Sequence, residues 1–185
     1  MRLVLASRSP QRKAILEQLG VPFEVRPADI AEATAGDPEA VAAENARRKA
    51  FAAERRAGEV VLGADTLVAT EDRIWGKPAD EESARTTLLH LAGRTHEVHS
   101  GLALVRDSDI AEAAAVTEVT FRSFGAELAE WYVRSGEWRG RAGGYAIQGR
   151  GAALVERIDG DYLNVVGLPV AALLRVWPGL LSLAS

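Results

Sequence analysis

The chain has 185 residues, of which 48% are hydrophobic and 26% charged, with a formal net charge of -4; that is enough apolar material for one domain with a real core. Basic residues scattered under a net negative charge argue against a binder of nucleic acid or anionic membrane, and the absence of cysteine excludes disulfides and thiolate metal sites. No apolar run approaches the length of a membrane span and the N-terminus carries no signal-peptide pattern, so a soluble cytoplasmic protein is expected.

Leu3-Val4-Leu5-Ala6 reads as a short buried strand that runs into Ser7-Arg8-Ser9-Pro10. Ser9 followed by proline is a helix start, and the helix should stop at Gly20. Its first turn offers free backbone N–H groups beside Ser7, Ser9, Gln11 and Arg12. That set suits an anion, although an ordinary capped helix would look the same. Val21 to Val25 can form a second strand, and the aperiodic stretch from Pro27 to Glu32 reads as a loop whose Asp29 and Glu32 are solvated by default. Asp37-Pro38 starts a second helix with a stripe of small residues, Ala42, Ala46, Ala50 and Ala53. Lys49 borders that stripe, either reaching out to solvent or pointing into a cleft.

Val60 to Val68 is the stretch around which the rest is organised. Three apolar residues form a buried strand, then Gly63 and Ala64 clear space before Asp65 and Thr66. Aspartate is poor in strands and costly to bury alone, so Asp65 serves either a structural hydrogen bond or chemistry. Glu71-Asp72-Arg73 turns the chain, and Ile74-Trp75 returns as a hairpin ending in Gly76-Lys77-Pro78. The flanking glycine and proline fix Lys77 as a positioned point charge, and the hairpin is expected to set Asp65 and Lys77 on neighbouring strands.

Asp80 caps a third helix that stops at Gly93, and Thr95 to Arg106 alternates as a strand with Ile110 to Phe121 as its antiparallel partner. His90, His96 and His99 lack metal-ligand spacing and are read as structural. A fourth helix spans Ala126 to Ser135. The stretch from Arg139 to Gly151 is the most glycine-dense in the chain, which suits close approach to a ligand; it is too short and isolated to indicate RNA binding. Trp138 beside it is expected to be exposed, as an interface or a lid. Ala152 to Ile158 and Asn164 to Val166 read as strands around an Asp-Gly-Asp turn, and Leu168-Pro169 opens the last helix. No repeat or linker divides the chain, which implies a single domain over residues 1–185.

These pieces resemble the Maf family of nucleoside triphosphate pyrophosphatases. The resemblance rests on Leu5 to Arg12 (LASRSPQR), Gly63 to Thr66 (GADT), Gly76 to Pro78 (GKP), Gly93 to His96 (GRTH), Tyr145 to Gly151 (YAIQGRG), and Gly160-Asp161-Tyr162 with Asn164 to Pro169. The motifs follow the family's order from end to end. The resemblance implies a mixed α/β fold with an elongated central sheet and two lobes flanking an active-site cleft, in a homodimer. It also implies hydrolysis of a nucleoside triphosphate to the monophosphate and pyrophosphate, in a housecleaning role.

In such proteins the GADT aspartate, here Asp65, is the proton acceptor. Ser7, Ser9 and Arg12 correspond to the serine loop, and Glu32, Lys49, Lys77 and Gln148 complete the polar site. Gln11, Thr66 and Gln148 occupy positions associated with base preference. Thr66 and Gln148 resemble the branch acting on dTTP and UTP; Gln11 departs from it, since arginine is usual after the proline. A divalent cation, Mg²⁺ or alternatively Mn²⁺ or Co²⁺, is expected to bridge the phosphates near Asp65 and Glu32. Arg12, Lys49, Lys77 and the first helix's N-terminus would relieve the triphosphate's charge. The rival reading is a nucleotide-binding regulator of septum formation without catalysis.

Overall fold

The central strand of the computed structural model, which describes residues 1–184, is β3 (Glu59–Thr70). On one side it pairs in parallel with β1 (Arg2–Leu5), which continues in parallel to β2 (Phe23–Val25). On the other it runs antiparallel to β5 (Thr95–Arg106), followed by β6 (Asp109–Phe121) and β7 (Val155–Asp159). The far end of β3 also takes β4 (Arg73–Trp75) as the return of a hairpin. The result is one mixed seven-stranded sheet.

The helices are α1 (Pro10–Gln18), α2 (Pro38–Ala52), α3 (Glu81–Leu91), α4 (Ala126–Val133), α5 (Tyr162–Val166) and α6 (Val170–Val176). The first three begin at the caps the sequence announces. Ser9 Oγ accepts from Arg12 N, Asp37 from Ala40 N and Asp80 from Ser83 N. No helix among the described residues is long and apolar enough to cross a membrane.

Alternation along the strands sorts the core. Leu3, Leu5, Leu62, Leu102 and Leu104 face α1 and α6, whereas Val4, Val61, Ala103 and Val105 face α2. A separate apolar cluster around Val68, Leu88, Phe121, Tyr132 and Trp138 covers the other end of the sheet. On β3 the changeover between clusters falls at Asp65, Thr66 and Leu67, which line a cleft.

The alanine stripe of α2 explains how close that helix lies. A methyl group at Gly63 would overlap the carbonyl oxygen of Ala46, and one at Gly101 would overlap the backbone of Ala42. Helix and sheet therefore touch backbone to backbone, a contact only small residues permit. The approach carries Asn45 and Lys49, successive turns of α2, onto Asp65.

Four sequence expectations need correction. Asn164 to Val166 lies in α5 rather than a strand, because Asp161 caps that helix by accepting from Leu163 N at 2.8 Å and Gly167 closes it at φ +128°. Asn164 itself is fully buried and donates to Val98 O at 2.9 Å and Thr117 Oγ1 at 3.0 Å, so its side chain bridges two strands instead of joining one. Trp138 is buried, its indole N–H donating to Val133 O at the end of α4. The strand expected from Ala152 begins only at Val155, residues 150–153 forming a 3-10 turn. Lys77 lies beyond the end of β4 at Trp75, in the loop, so it does not share a sheet with Asp65.

Candidate active site

The cleft measures about 700 Å³ and is lined by the N-terminus of α1, the loop between β2 and α2, the middle of β3, the hairpin exit and the glycine-rich loop. Its size suits a nucleotide-sized ligand. Five basic side chains (Arg8, Arg12, Lys49, Lys77, Arg141) face three acidic ones (Asp29, Glu32, Asp65), so a chain that is acidic overall presents a basic cleft. All ten residues nominated from the sequence line it: Ser7, Ser9, Gln11, Arg12, Glu32, Lys49, Asp65, Thr66, Lys77 and Gln148.

Asp65 is buried, and both of its carboxylate oxygens accept hydrogen bonds. Lys49 Nζ donates to Oδ1 at 2.7 Å and Asn45 Nδ2 to Oδ2 at 2.9 Å. The same ammonium meets Glu32 Oε1 at 2.6 Å, so Lys49 joins two carboxylates, and it points into the cleft rather than out to solvent. Glu32 is exposed, as expected of a carboxylate in that loop, yet it is ion-paired. Burial pushes its pKa up, but the hydrogen bond and charge of Lys49, with Lys77 and Arg12, outweigh that and hold it below the usual carboxylate range. Lys77 is more than half exposed, 3.9 Å from Glu32 Oε2, and free to follow a ligand.

Arg12 is the unusual cation. It is buried, yet its hydrogen bonds go only to neutral oxygens: Gly167 O at 2.9 Å, Ser7 Oγ at 2.9 Å and Thr66 Oγ1 at 3.3 Å. Burial lowers its pKa, with the more distant Asp65 and Glu32 acting the other way. A buried guanidinium with no carboxylate in contact, beside the capped start of α1, suits an anion better than a structural ion pair. Ser7 Oγ also accepts from Ser9 N at 3.2 Å, which folds the serine loop around that spot. Arg8 and Asp29 form an exposed ion pair at the rim, 2.6 Å apart.

Thr66 sits beside Arg12 with its hydroxyl 2.8 Å from Ser100 Oγ. Gln148 is exposed at the rim, and its side chain makes no hydrogen bond among the described residues. Gln11 turns across the cleft. With the amide oriented by its neighbours, its carbonyl accepts from both terminal nitrogens of Arg141 at 2.7 and 3.0 Å, and its NH₂ donates to Ser9 Oγ at 3.0 Å. Arg141 reaches this place because the glycine-rich loop lies tight on the hairpin: Gly143, at φ +65°, donates to Gly76 O and leaves no room for a side chain beside Val68.

Three side chains that sequence reasoning did not nominate therefore touch the nominated set, Asn45, Ser100 and Arg141. The available signal for Asn45 was an asparagine in mid-helix inside an alanine stripe, one turn before Lys49, where a poor helix former needs a reason. Arg141 carried no local signal, since its place depends on loop packing.

A profile described as Maf-like protein matches residues 2–178. The dTTP/UTP pyrophosphatase of Pyrococcus furiosus is 42% identical, over 95% of this chain and 93% of its own. The proteins of the same name from Symbiobacterium thermophilum (45% identical, over 91% and 89%) and Bacillus cereus strain B4264 (42%, over 94% and 93%) are related to a similar degree. A match that starts in β1, runs past α6 and takes in every residue nominated for the cleft leaves one conclusion: the chain belongs to the Maf family.

Proposed function

We propose that this protein hydrolyses a nucleoside triphosphate, dTTP or UTP by preference, to the monophosphate and pyrophosphate. The observation that carries the reading is Arg12, a buried cation without a contacting carboxylate, set beside a carboxylate that is itself oriented from two sides. The names of the relatives and the basic lining of the cleft support it.

Arg12, the serine loop and the start of α1 hold phosphate oxygens, and Lys77 adds a mobile positive charge. Asp65 accepts a proton from the attacking water as the water's oxygen bonds to the α-phosphorus. The bond from that phosphorus to the bridging oxygen breaks in line, and pyrophosphate leaves with the electron pair. Each oxygen of Asp65 accepts one donor and keeps a lone pair for the water. Lys49, shared by Asp65 and Glu32, holds the two carboxylates in one geometry and has a third N–H for a phosphate oxygen. Gln148, Thr66 and Gln11 read the base by hydrogen bonds.

A divalent cation fits this donor set in a limited way. Among the described residues there is no cluster of three or more acidic or histidine ligands, and both Asp65 oxygens are engaged. Mg²⁺ commonly binds through one or two carboxylates with phosphates and water supplying the rest. Glu32 Oε2, with only Lys77 nearby at 3.9 Å, is the free oxygen, and Asp65 is its neighbour. Such an ion supplies charge neutralisation on the triphosphate when bound. A homodimer and a cytoplasmic location belong to the same reading.

The test is incubation with dTTP, UTP, CTP and GTP plus Mg²⁺ or Mn²⁺, resolving the products by anion exchange. Monophosphate with equimolar pyrophosphate is expected. Diphosphate with orthophosphate would refute the reading, and tight binding without turnover would replace it with the regulator of septum formation.

A further inference from the structure

Asn45 makes three hydrogen bonds, and all of them go to the parts of the cleft that carry its carboxylates. It is fully buried on α2. Its Nδ2 donates to Asp65 Oδ2 at 2.9 Å and to Ala33 O at 2.9 Å, and its Oδ1 accepts from Ala33 N at 2.8 Å. The partners fix the orientation of the amide, since a carboxylate only accepts and a backbone N–H only donates. Few side chains could replace it: the arrangement needs two donors on one nitrogen and an acceptor in the same plane.

The bonds to Ala33 act like one rung of a sheet ladder, clamping the backbone next to Glu32 in a loop that has no regular structure of its own. The bond to Asp65 completes the fixing of its carboxylate plane, because Lys49 holds only the other oxygen. Lys49 also bonds Glu32, but through a long flexible stem, and an ammonium can rotate without losing either partner. The rigid member of the group is the amide.

We propose that Asn45 is a positioning residue: it sets the plane of Asp65 and locks the Glu32 loop to it, so that both carboxylates meet the substrate in one geometry. The inference rests on the role of Asp65 proposed above. A loosened carboxylate costs turnover more than affinity, because substrate is held chiefly by Arg12, the serine loop and Lys77.

The experiment compares Asn45→Leu, which keeps the branched outline and removes every hydrogen bond, with Asn45→Ala, which removes the same bonds without adding bulk or charge beside Asp65. In both, kcat should fall about 10- to 100-fold, while KM and the dissociation constant of an α,β-methylene triphosphate analogue stay within about threefold of the parent. Retention of kcat within about twofold in either folded variant overturns the inference, as does a loss confined to KM. If the leucine variant fails to fold, the smaller alanine variant carries the test. Asp65→Asn, run alongside, separates the two proposals: full turnover there removes the proton acceptor itself, whereas an inactive Asp65→Asn protein beside active Asn45 variants removes only the positioning role.

Discussion

Arg26 and Arg12 are both largely buried arginines, and the protein treats them in opposite ways. Arg26 is fully answered. Its terminal nitrogens grip Glu59 at 2.6 and 2.7 Å, Glu24 accepts from Nε and Nη2, Glu54 O accepts from Nη1 at 3.2 Å, and Glu59 also accepts from Arg56 N at 2.8 Å. The hydrogen bond from Arg26, with help from Arg56, pulls the Glu59 pKa down to about 2 against the effect of burial. Arg12 has hydroxyls and one carbonyl, and its pKa moves down instead of up. A satisfied buried charge holds β2 to the start of β3; in the function proposed above, one without a carboxylate partner holds a place for a ligand. Burial and residue type do not separate the two cases, but the chemistry of the partners does.

The largest break in this comparison is at the carboxylate beside Arg12. Asp65→Asn should lower kcat by about a thousandfold, the middle of the range for a lost general base. One face of the new amide must present N–H to Lys49 or to Asn45, so a modest fall in the melting midpoint should accompany it. Full turnover with Mg²⁺ would show that Asp65 serves only to hold Lys49 and Asn45.

A crossed pair of variants sharpens the contrast. Arg12→Met should reduce kcat/KM about a hundredfold, the scale of a truncated charged contact. It should move stability little, because relief from burying a cation opposes the loss of three hydrogen bonds worth about 1 kcal/mol each. Arg26→Met should do the reverse, lowering the melting midpoint by several degrees through the stranded Glu59 while leaving turnover near that of the parent. Thermal melts and steady-state kinetics on both proteins decide it. Equal effects of the two substitutions on activity would erase the distinction.

The two regions also differ in acid. Glu59 is depressed from 4.5 to about 2 in the folded protein, so its contribution is complete above the ordinary carboxylate range and is lost as pH falls from there toward 2. His96 adds a separate slope. Buried with its Nε2 2.9 Å from Tyr145 Oη, it is lowered by burial from 6.5 to about 4. The unfolded chain takes up that proton first, so stability falls between pH 6.5 and 4. Melting midpoints measured in steps from pH 7 to pH 3 should show two descents. His96→Gln should flatten the upper one and Arg26→Met the lower.

Much of this architecture is legible in the sequence because it is local. Ser9-Pro10, Asp37-Pro38 and Asp80 state where helices begin, and alternation through Thr95 to Arg106 states a strand. The alanine stripe of α2 even implies a close packing partner, though not that Gly63 and Gly101 supply it. The failures come where a side chain spends its chemistry far along the chain. Asn164 looks like part of an apolar strand until its amide is seen bridging β5 and β6, and Trp138 looks like a surface residue until its N–H caps α4. In the cleft, residue types announced the cations and the carboxylates. Which cation lacks a carboxylate partner, and that Asn45 bonds Asp65, are properties of three-dimensional pairing that no spacing encodes.

The smallest expected effect concerns a third arginine that stands between the other two. Arg141 is held by a carbonyl at Glu137 and by the neutral amide of Gln11, whose oxygen receives both terminal nitrogens. A neutral acceptor of this kind binds a guanidinium less firmly than a carboxylate does, so the contact is exchangeable where that of Arg26 is not. Gln11→Ala removes it, leaves the Arg141 donors turned toward the cleft and deletes one polar edge at the rim. The loss is about 1 kcal/mol, roughly fivefold in a binding ratio. The ratio of kcat/KM among UTP, dTTP and CTP should therefore shift by about three- to tenfold, with pyrophosphate still released one for one with monophosphate. An unchanged ratio accompanied by a lower melting midpoint would assign Gln11 to supporting the Ser9 cap, and would place Arg141 with the structural arginine rather than with Arg12.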